Sequence, residues 1–111
     1  MTKTLPPTSW GMELHRFTSR NAGRATRVEV NSLDFGAQQQ ELGVPLRGIS
    51  YDARDDRVLI TLGTRGNTEQ HLTHSIAHAT AIYVLVDPRG RDEALAIRQN
   101  GISTLLRFID L

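Results

Sequence analysis

Alternation of apolar and polar residues after Gly23 is the feature that most limits what this chain can fold into. In TRVEVNS, Val28 and Val30 alternate with polar neighbours, and the same period of two holds in VLITL, residues 58–62. Successive side chains of a β-strand point to opposite faces, so this period predicts strands with one buried face and one wet face. Most of the chain beyond residue 23 is therefore predicted to form a sheet.

The alternation changes phase once and is lost twice. In VPLRGISYD the apolar positions are even up to Leu46 but odd from Ile49 onward, and Gly48 at the change predicts a β-bulge. DFGAQQQELG, residues 34–43, has no period and is predicted to be an exposed loop between the first two strands. GTRGNTE, residues 63–69, also has no period, and HLTHSI, residues 71–76, fits either a strand or a short helical turn.

Turn signals divide the second half of the chain into hairpins. Asn100-Gly101 favours a two-residue type I′ turn, which needs a positive φ at both central positions. Pro88 suits the second position of a tight turn in PRGR, and the aspartate-rich stretch DARDDR is typical of a strand-linking turn. These signals predict a C-terminal meander.

A short helix is predicted before the sheet. Two prolines precede Thr8 and Ser9 as possible N-caps, and Trp10, Leu14 and Phe17 form one apolar stripe. The predicted fold class is α+β, with an N-terminal helix packed on a mostly antiparallel sheet of five or six strands. A chain of 111 residues is the size of one domain, here residues 1–111.

Composition excludes several classes of protein. The chain has no cysteine, so it can form neither a disulfide nor a thiolate site, and this fits a cytoplasmic location. Its longest apolar run, AIYVLV at residues 81–86, is too short to cross a membrane. Net charge is +1, so the overall field gives nucleic acid or lipid no strong attraction.

The stretch HLTHSIAH, residues 71–78, contains three of the four histidines and raises the question of a metal site. On a strand, His71 and His74 would point to opposite faces, while His74 and His78 would lie about 13 Å apart. One zinc ion cannot bridge that distance, so we expect no metal site and no cofactor. A helical turn would instead place all three side chains on one stripe.

Two further activities have candidate residues. An acid/base enzyme or metal-binding protein would place its site near Tyr51, Asp52 and His71, although no G-x-S-x-G nucleophile motif occurs in the chain. A weak nucleic-acid interaction would use the basic edge from Arg16 to Arg27. Whether the protein is an enzyme stays open, with a non-catalytic role favoured.

The stretch VEVNSLDFGAQQQELGVPLRGISYDARDDRVLITL resembles a family of small bacterial proteins catalogued as a domain of unknown function. The likeness includes a tryptophan near the start of the first helix, the E-V-x-S-L-D segment, the L-x-G-I-x-Y-D segment and a later strand to which Asp55, Asp56 and Leu59 correspond. Four polar residues of the shared pattern are the candidate binding residues: Asp34, Tyr51, Asp52 and His71. The resemblance implies a small α+β protein and no reaction or cofactor.

The leading functional hypothesis is a non-catalytic binding or regulatory module that self-associates, most simply as a homodimer. AIYVLV and LLRFIDL are apolar on both faces, whereas one helix can cover only one face of a sheet. A second copy of the chain, joined through a sheet edge or a partly apolar sheet face, would cover what the helix leaves open. Neither a membrane nor a nucleic acid is expected as partner.

Overall fold

The helix forms where the apolar stripe predicts it. The computed structural model describes residues 1–32, 36–63 and 72–110, and in it a 3₁₀ turn at Pro7–Ser9 leads into helix α1, Trp10–Asn21. The three stripe residues Trp10, Leu14 and Phe17 are buried. Gly23 follows the helix with a φ of 90°, and its N–H donates to the Leu46 carbonyl at 2.7 Å, which joins the helix end to the sheet.

Within the described residues, eight strands form one sheet in the order β1-β6-β7-β8-β2-β3-β4-β5, and every neighbouring pair is antiparallel. The predicted α+β class is confirmed, with more strands than the five or six expected. The strands are β1 Thr2–Thr4, β2 Ala25–Ser32, β3 Gly36–Asp52, β4 Arg57–Leu62, β5 Leu72–Ala77, β6 Ala81–Val86, β7 Asp92–Gln99 and β8 Ile102–Phe108.

The loop prediction for residues 34–43 is wrong over residues 36–43, which belong to β3. This part of β3 pairs with β2 from Ser32↔Gly36 to Ala25↔Pro45. Its side chains at Ala37, Gln38 and Leu42 are exposed, so backbone hydrogen bonds and not apolar burial hold it in place. A strand of that kind has no hydrophobic period in its sequence, which is why the pattern did not reveal it.

The predicted bulge and turns are confirmed. Leu46 pairs with Leu62 and Gly48 with Thr61, so Arg47 is the extra residue of a bulge in β3. The β7–β8 hairpin turns at 100–101, where both residues have positive φ. In the β6–β7 turn, Gly90 N–H donates to the Asp87 carbonyl at 3.0 Å across residues 88 and 89.

The sheet curls into an open barrel. Strands β5 and β6 have five strands between them in the sheet order, yet the chain passes from one to the other through residues 78–80 alone. The step from Ala77 to Ala81 spans at most about 14 Å, whereas a flat sheet would separate the two strands by about 29 Å. Gln99 Nε2 bridges the remaining gap by donating to the Ala77 carbonyl at 2.6 Å.

The inside of this curl is the hydrophobic core. It contains inward residues from strands on both sides of the curl together with the stripe of α1, including Val28, Ile60, Ile82, Leu95, Leu106, Leu14 and Phe17. The helix lies along β3 where this strand parts from β2. The Thr18 hydroxyl of α1 therefore meets the backbone of β3 at Ile49.

Candidate functional site

Tyr51 is the sequence-predicted site residue around which other polar groups gather. It lies in the second half of β3, and its ring meets the ring of Trp10 edge to face, with centroids 5.3 Å apart. The Tyr51 hydroxyl donates to Asp56 Oδ1 at 2.8 Å. Asp56 is the last residue of the turn between β3 and β4 and has a φ of 50°, a conformation that aspartate tolerates better than most residues.

His78 completes a polar cluster of Tyr51, Asp56 and His78. Its Nδ1 lies 3.0 Å from Asp56 Oδ2, and its backbone N–H donates to the Asp56 carbonyl at 2.9 Å. His78 itself has a φ of 56°, which costs an ordinary residue about 1–2 kcal/mol. His78 thus ties the end of β5 to the β3–β4 turn by one backbone bond and one side-chain bond, and Tyr51 adds a side-chain bond from β3 to the same turn.

The electrostatics of the cluster follow from its hydrogen bonds. The His78 imidazole, and after it the Tyr51 hydroxyl, donates to Asp56 and holds the pKa of that carboxyl below its usual value. The same Asp56 carboxylate raises the pKa of Tyr51, because the phenol must give up the hydrogen bond to ionise. The hydrogen bond to the ionised Asp56 carboxylate places a proton on His78 Nδ1, and in the neutral imidazole Nε2 is then the acceptor.

The solvent exposure of His78 limits the reactions that the cluster could catalyse. An Asp–His pair with a free Nε2 resembles the base of a catalytic dyad. The His78 side chain, however, is 79% exposed, so water competes for Nε2 and no substrate is enclosed there. The arrangement is suited to holding two turns together.

Of the other predicted site residues the structure describes only Asp52, and Asp52 does not join this cluster. Asp52 caps the turn instead, since its Oδ1 accepts the backbone N–H groups of Arg54 at 3.0 Å and Asp55 at 3.4 Å. Asp34 and His71 lie outside the described residues. Sequence reasoning did not select Asp56 and His78, and the only signal for them was a run of aspartates in a turn and a histidine beside a strand end.

The histidine-rich stretch is extended where the structure describes it. His74 lies within β5, and His78 follows the strand and bonds to Asp56. Across residues 1–32, 36–63 and 72–110, no three side chains of the types His, Cys, Asp or Glu are grouped closely enough to hold a metal ion.

The basic edge from Arg16 to Arg27 is occupied by carboxylates. Each of its four arginines forms an ion pair within the chain: Arg16 with Glu13, Arg20 with Asp92, Arg24 with Asp110 and Arg27 with Glu29. Two of these partners come from the C-terminal third of the chain. The charge that would attract a phosphate backbone is therefore largely compensated in the fold.

The outer edge of β5 presents backbone groups that β4 does not use. His78 N–H donates to the Asp56 carbonyl across β5 and β4, so the preceding residue Ala77, opposite Arg57, directs its backbone groups away from β4. Alternate residues of a strand share this direction, so Ser75 and Thr73 also present their N–H and C=O groups outward. Among the strands that the structure describes, β4 alone pairs with β5.

Comparison with known proteins supplies a family for this fold. The sequence profile of a family of unknown function, DUF5335, matches residues 1–110. The chain belongs to DUF5335. This membership covers nearly the whole sequence and confirms the resemblance to a domain of unknown function. No curated protein and no solved structure gives a significant match to this DUF5335 member.

The same chain shows no helix capable of spanning a membrane within its described residues.

Proposed function

We propose that the protein is a small binding or regulatory module that self-associates through the outer edge of β5. The observation that supports this is the character of that edge strand. Leu72–Ala77 is six residues long, contains no proline and carries no lysine, arginine or acid. Natural sheets normally protect a terminal strand with such residues, because an unprotected edge pairs readily with another strand.

The opposite edge of the sheet provides the contrast. Strand β1 is only three residues long and has Lys3 at its centre, so it is protected in the usual way. The β1 edge of the sheet is therefore protected against pairing with another strand, and the β5 edge is not. An open edge suits a partner that adds a strand.

A second copy of the chain fits this edge by symmetry. Two β5 strands related by a two-fold axis would run antiparallel, with Ser75 opposite Ser75 and Thr73 opposite Ala77. All three residues direct their backbone groups outward, so the Ser75 pair can exchange two hydrogen bonds and the Ala77 N–H can donate to Thr73, while the Ala77 carbonyl also accepts from Gln99. The Arg57 guanidinium, which donates to Ser75 Oγ at 2.9 Å, lies on the sheet face and leaves the edge itself clear.

Size-exclusion chromatography with light scattering across a dilution series tests the proposal. The native chain is expected to be a dimer that dissociates on dilution. Ser75→Pro removes an N–H that points away from β4, so it should give a monomer with an unchanged circular dichroism spectrum. The matched control is Thr2→Pro, which removes an N–H on the outer side of β1 and should leave the dimer intact.

Two results would overturn this assignment. One is a native chain that remains monomeric at the highest concentration reached. The other is a dimer that survives Ser75→Pro but is lost in Leu85→Lys, because Leu85 lies with Tyr83 and Leu105 on the half-buried outer face of the sheet. That second outcome would move the contact from the strand edge to the sheet face.

A further inference from the structure

A cleft of about 480 Å³ lies between one side of α1 and the middle of β3. This volume falls within the range of small-molecule sites in proteins. Its lining combines side chains from the helix and two strands, chiefly His15, Thr18, Arg47, Gly48, Ser50 and Thr61. None of the described residues that line the cleft belongs to β5, so a ligand site here does not depend on self-association through that strand.

The bulge in β3 creates the cleft. Arg47 is the extra residue of the bulge, so it leaves the regular alternation of the strand. Gly48 comes next and has no side chain. A Cβ built at Gly48 would meet a single atom within 4 Å, Thr18 Cγ2 at 3.6 Å, so the space above the glycine is open.

The edge of β3 adds backbone donors at the same place. Thr18 Oγ1 accepts the Ile49 N–H at 2.9 Å, which shows that the backbone groups of Ile49 point away from β4 toward the helix. Two residues further on, Tyr51 has the same orientation and also lines the cleft. The Tyr51 N–H therefore points to the same side of β3 as the Ile49 N–H. Along this edge the Thr18 hydroxyl bonds to Ile49 only.

The chemistry of the described lining is suited to an anion. It contains a guanidinium, an imidazole and the hydroxyls of Ser50 and Thr61, and none of its described residues is acidic. Arg47 makes an interaction elsewhere in the chain, but a guanidinium has five N–H donors and can serve more than one acceptor. Charged donors beside hydroxyls are the usual means of binding phosphate or carboxylate groups.

We propose that this cleft binds the oxyanion group, phosphate or carboxylate, of a small molecule. Arg47 supplies the charge, the His15 imidazole, the Tyr51 N–H and the Ser50 hydroxyl supply directed donors, and Gly48 leaves the space. Tyr51 lines the cleft, and its ring is held by the ring of Trp10.

Titration of ¹⁵N-labelled protein with inorganic phosphate, and separately with acetate, tests this site by NMR at constant ionic strength. Saturable shifts are expected at the amides of Gly48, Ser50 and Tyr51, and the stronger of the two probes identifies the preferred oxyanion. Arg47→Gln should weaken binding about tenfold or more, the usual effect of losing a charged hydrogen bond. Arg54→Gln in the neighbouring turn is the matched control and should leave the affinity unchanged.

Filling the cleft gives an independent test. Ser50→Leu leaves the backbone alone and places an apolar side chain in the cleft, so binding should be lost while the remaining amide spectrum is retained. Gly48→Val should act in the same way. Shifts that do not saturate, shifts spread over the surface, or an equal loss in Arg47→Gln and Arg54→Gln would indicate an adventitious ion only and overturn the proposal.

Discussion

His78 has a backbone conformation that histidine rarely adopts. Its φ of 56° is a position where glycine would be free of strain. The imidazole is kept there because its Nδ1 and backbone N–H both reach Asp56. The side-chain contact thus offsets a conformational cost that the sequence alone does not show.

Two substitutions at this position separate strain from contact. His78→Ala and His78→Gly both remove the imidazole, but only alanine retains a Cβ in the left-handed region. We expect His78→Ala to be less stable than His78→Gly by about 1 kcal/mol in urea denaturation. Equal stabilities, or a less stable glycine variant, would show that the backbone at residue 78 relaxes once the contact is lost.

All three guanidinium nitrogens of Arg24 donate hydrogen bonds within the fold. Its Nε and Nη2 donate to the two carboxylate oxygens of Asp110 at 2.8 and 2.9 Å, and Nη1 donates to Asn21 Oδ1 and to the Asp92 carbonyl. The guanidinium also lies 3.9 Å from the centre of the Phe108 ring. The side chain is only 13% exposed, so these contacts are poorly screened.

Removing this side chain should therefore be costly. Arg24→Ala leaves a carboxylate and an amide without their donor, and we expect a loss of roughly 2–4 kcal/mol in the free energy of unfolding. Arg24→Lys should recover little, because an ammonium cannot form the two-pronged contact. Arg27→Ala, which breaks an exposed pair with Glu29, should cost at most about 1 kcal/mol under the same urea denaturation.

At the level of elements, the sequence was most informative where local chemistry decides the structure. The helix followed from the spacing of three apolar residues, the β7–β8 hairpin from Asn100-Gly101, and the bulge from the phase change at Gly48. The first half of β3 was missed because its polar side chains obey no period. This half of β3 pairs with β2 through backbone hydrogen bonds, and composition does not predict such bonds.

The contact between α1 and β3 is an element-scale feature that can be tested alone. Thr18 Oγ1 accepts the Ile49 N–H at 2.9 Å, and its proton is shared between the carbonyls of Leu14 and Ile49 at 2.9 and 3.0 Å. Thr18→Val keeps the shape but leaves the strand edge without a partner, so we expect a loss of about 1–3 kcal/mol by thermal or urea unfolding. Ser19→Ala removes only an exposed bond within the helix and should be nearly neutral.

At the level of the whole molecule, strand order was beyond what the sequence could supply. Hairpin signals predict which consecutive strands pair, but the contact of β8 with β2 and of β1 with β6 joins distant parts of the chain. The polar cluster depends instead on consecutive strands, since the pairing of β4 with β5 brings His78 to Asp56. Tyr51 was selected from the sequence; its partner Asp56 lies five residues away in the adjoining turn, whereas His78 reaches the cluster from the end of β5.

Asp110 follows β8 and pairs with Arg24, and the stability that this pair contributes should depend on pH. Hydrogen bonds from Arg24 hold the pKa of Asp110 below its usual value of 3.8. A carboxyl whose pKa is lower in the folded chain stabilises the fold above its unfolded pKa, and this contribution is lost as the pH falls through the folded value. Asp56 and Asp87 have pKa values lowered in the same direction, by His78 and by the backbone N–H of Arg91 respectively.

The native chain should therefore lose stability as the pH falls below about 4, the region of the unfolded aspartate pKa. Asp110→Asn should be less stable than the native chain near pH 7, and the two stability curves should converge in acid because the native carboxyl is then neutral as well. Urea denaturation from pH 7 to pH 2.5 measures this gap, with Asp55→Asn in the exposed β3–β4 turn as the control that stays parallel to the native curve. A gap for Asp110→Asn that is unchanged across this range would mean that the ionised pair with Arg24 contributes nothing, and that Asp110 acts through packing or neutral hydrogen bonds alone.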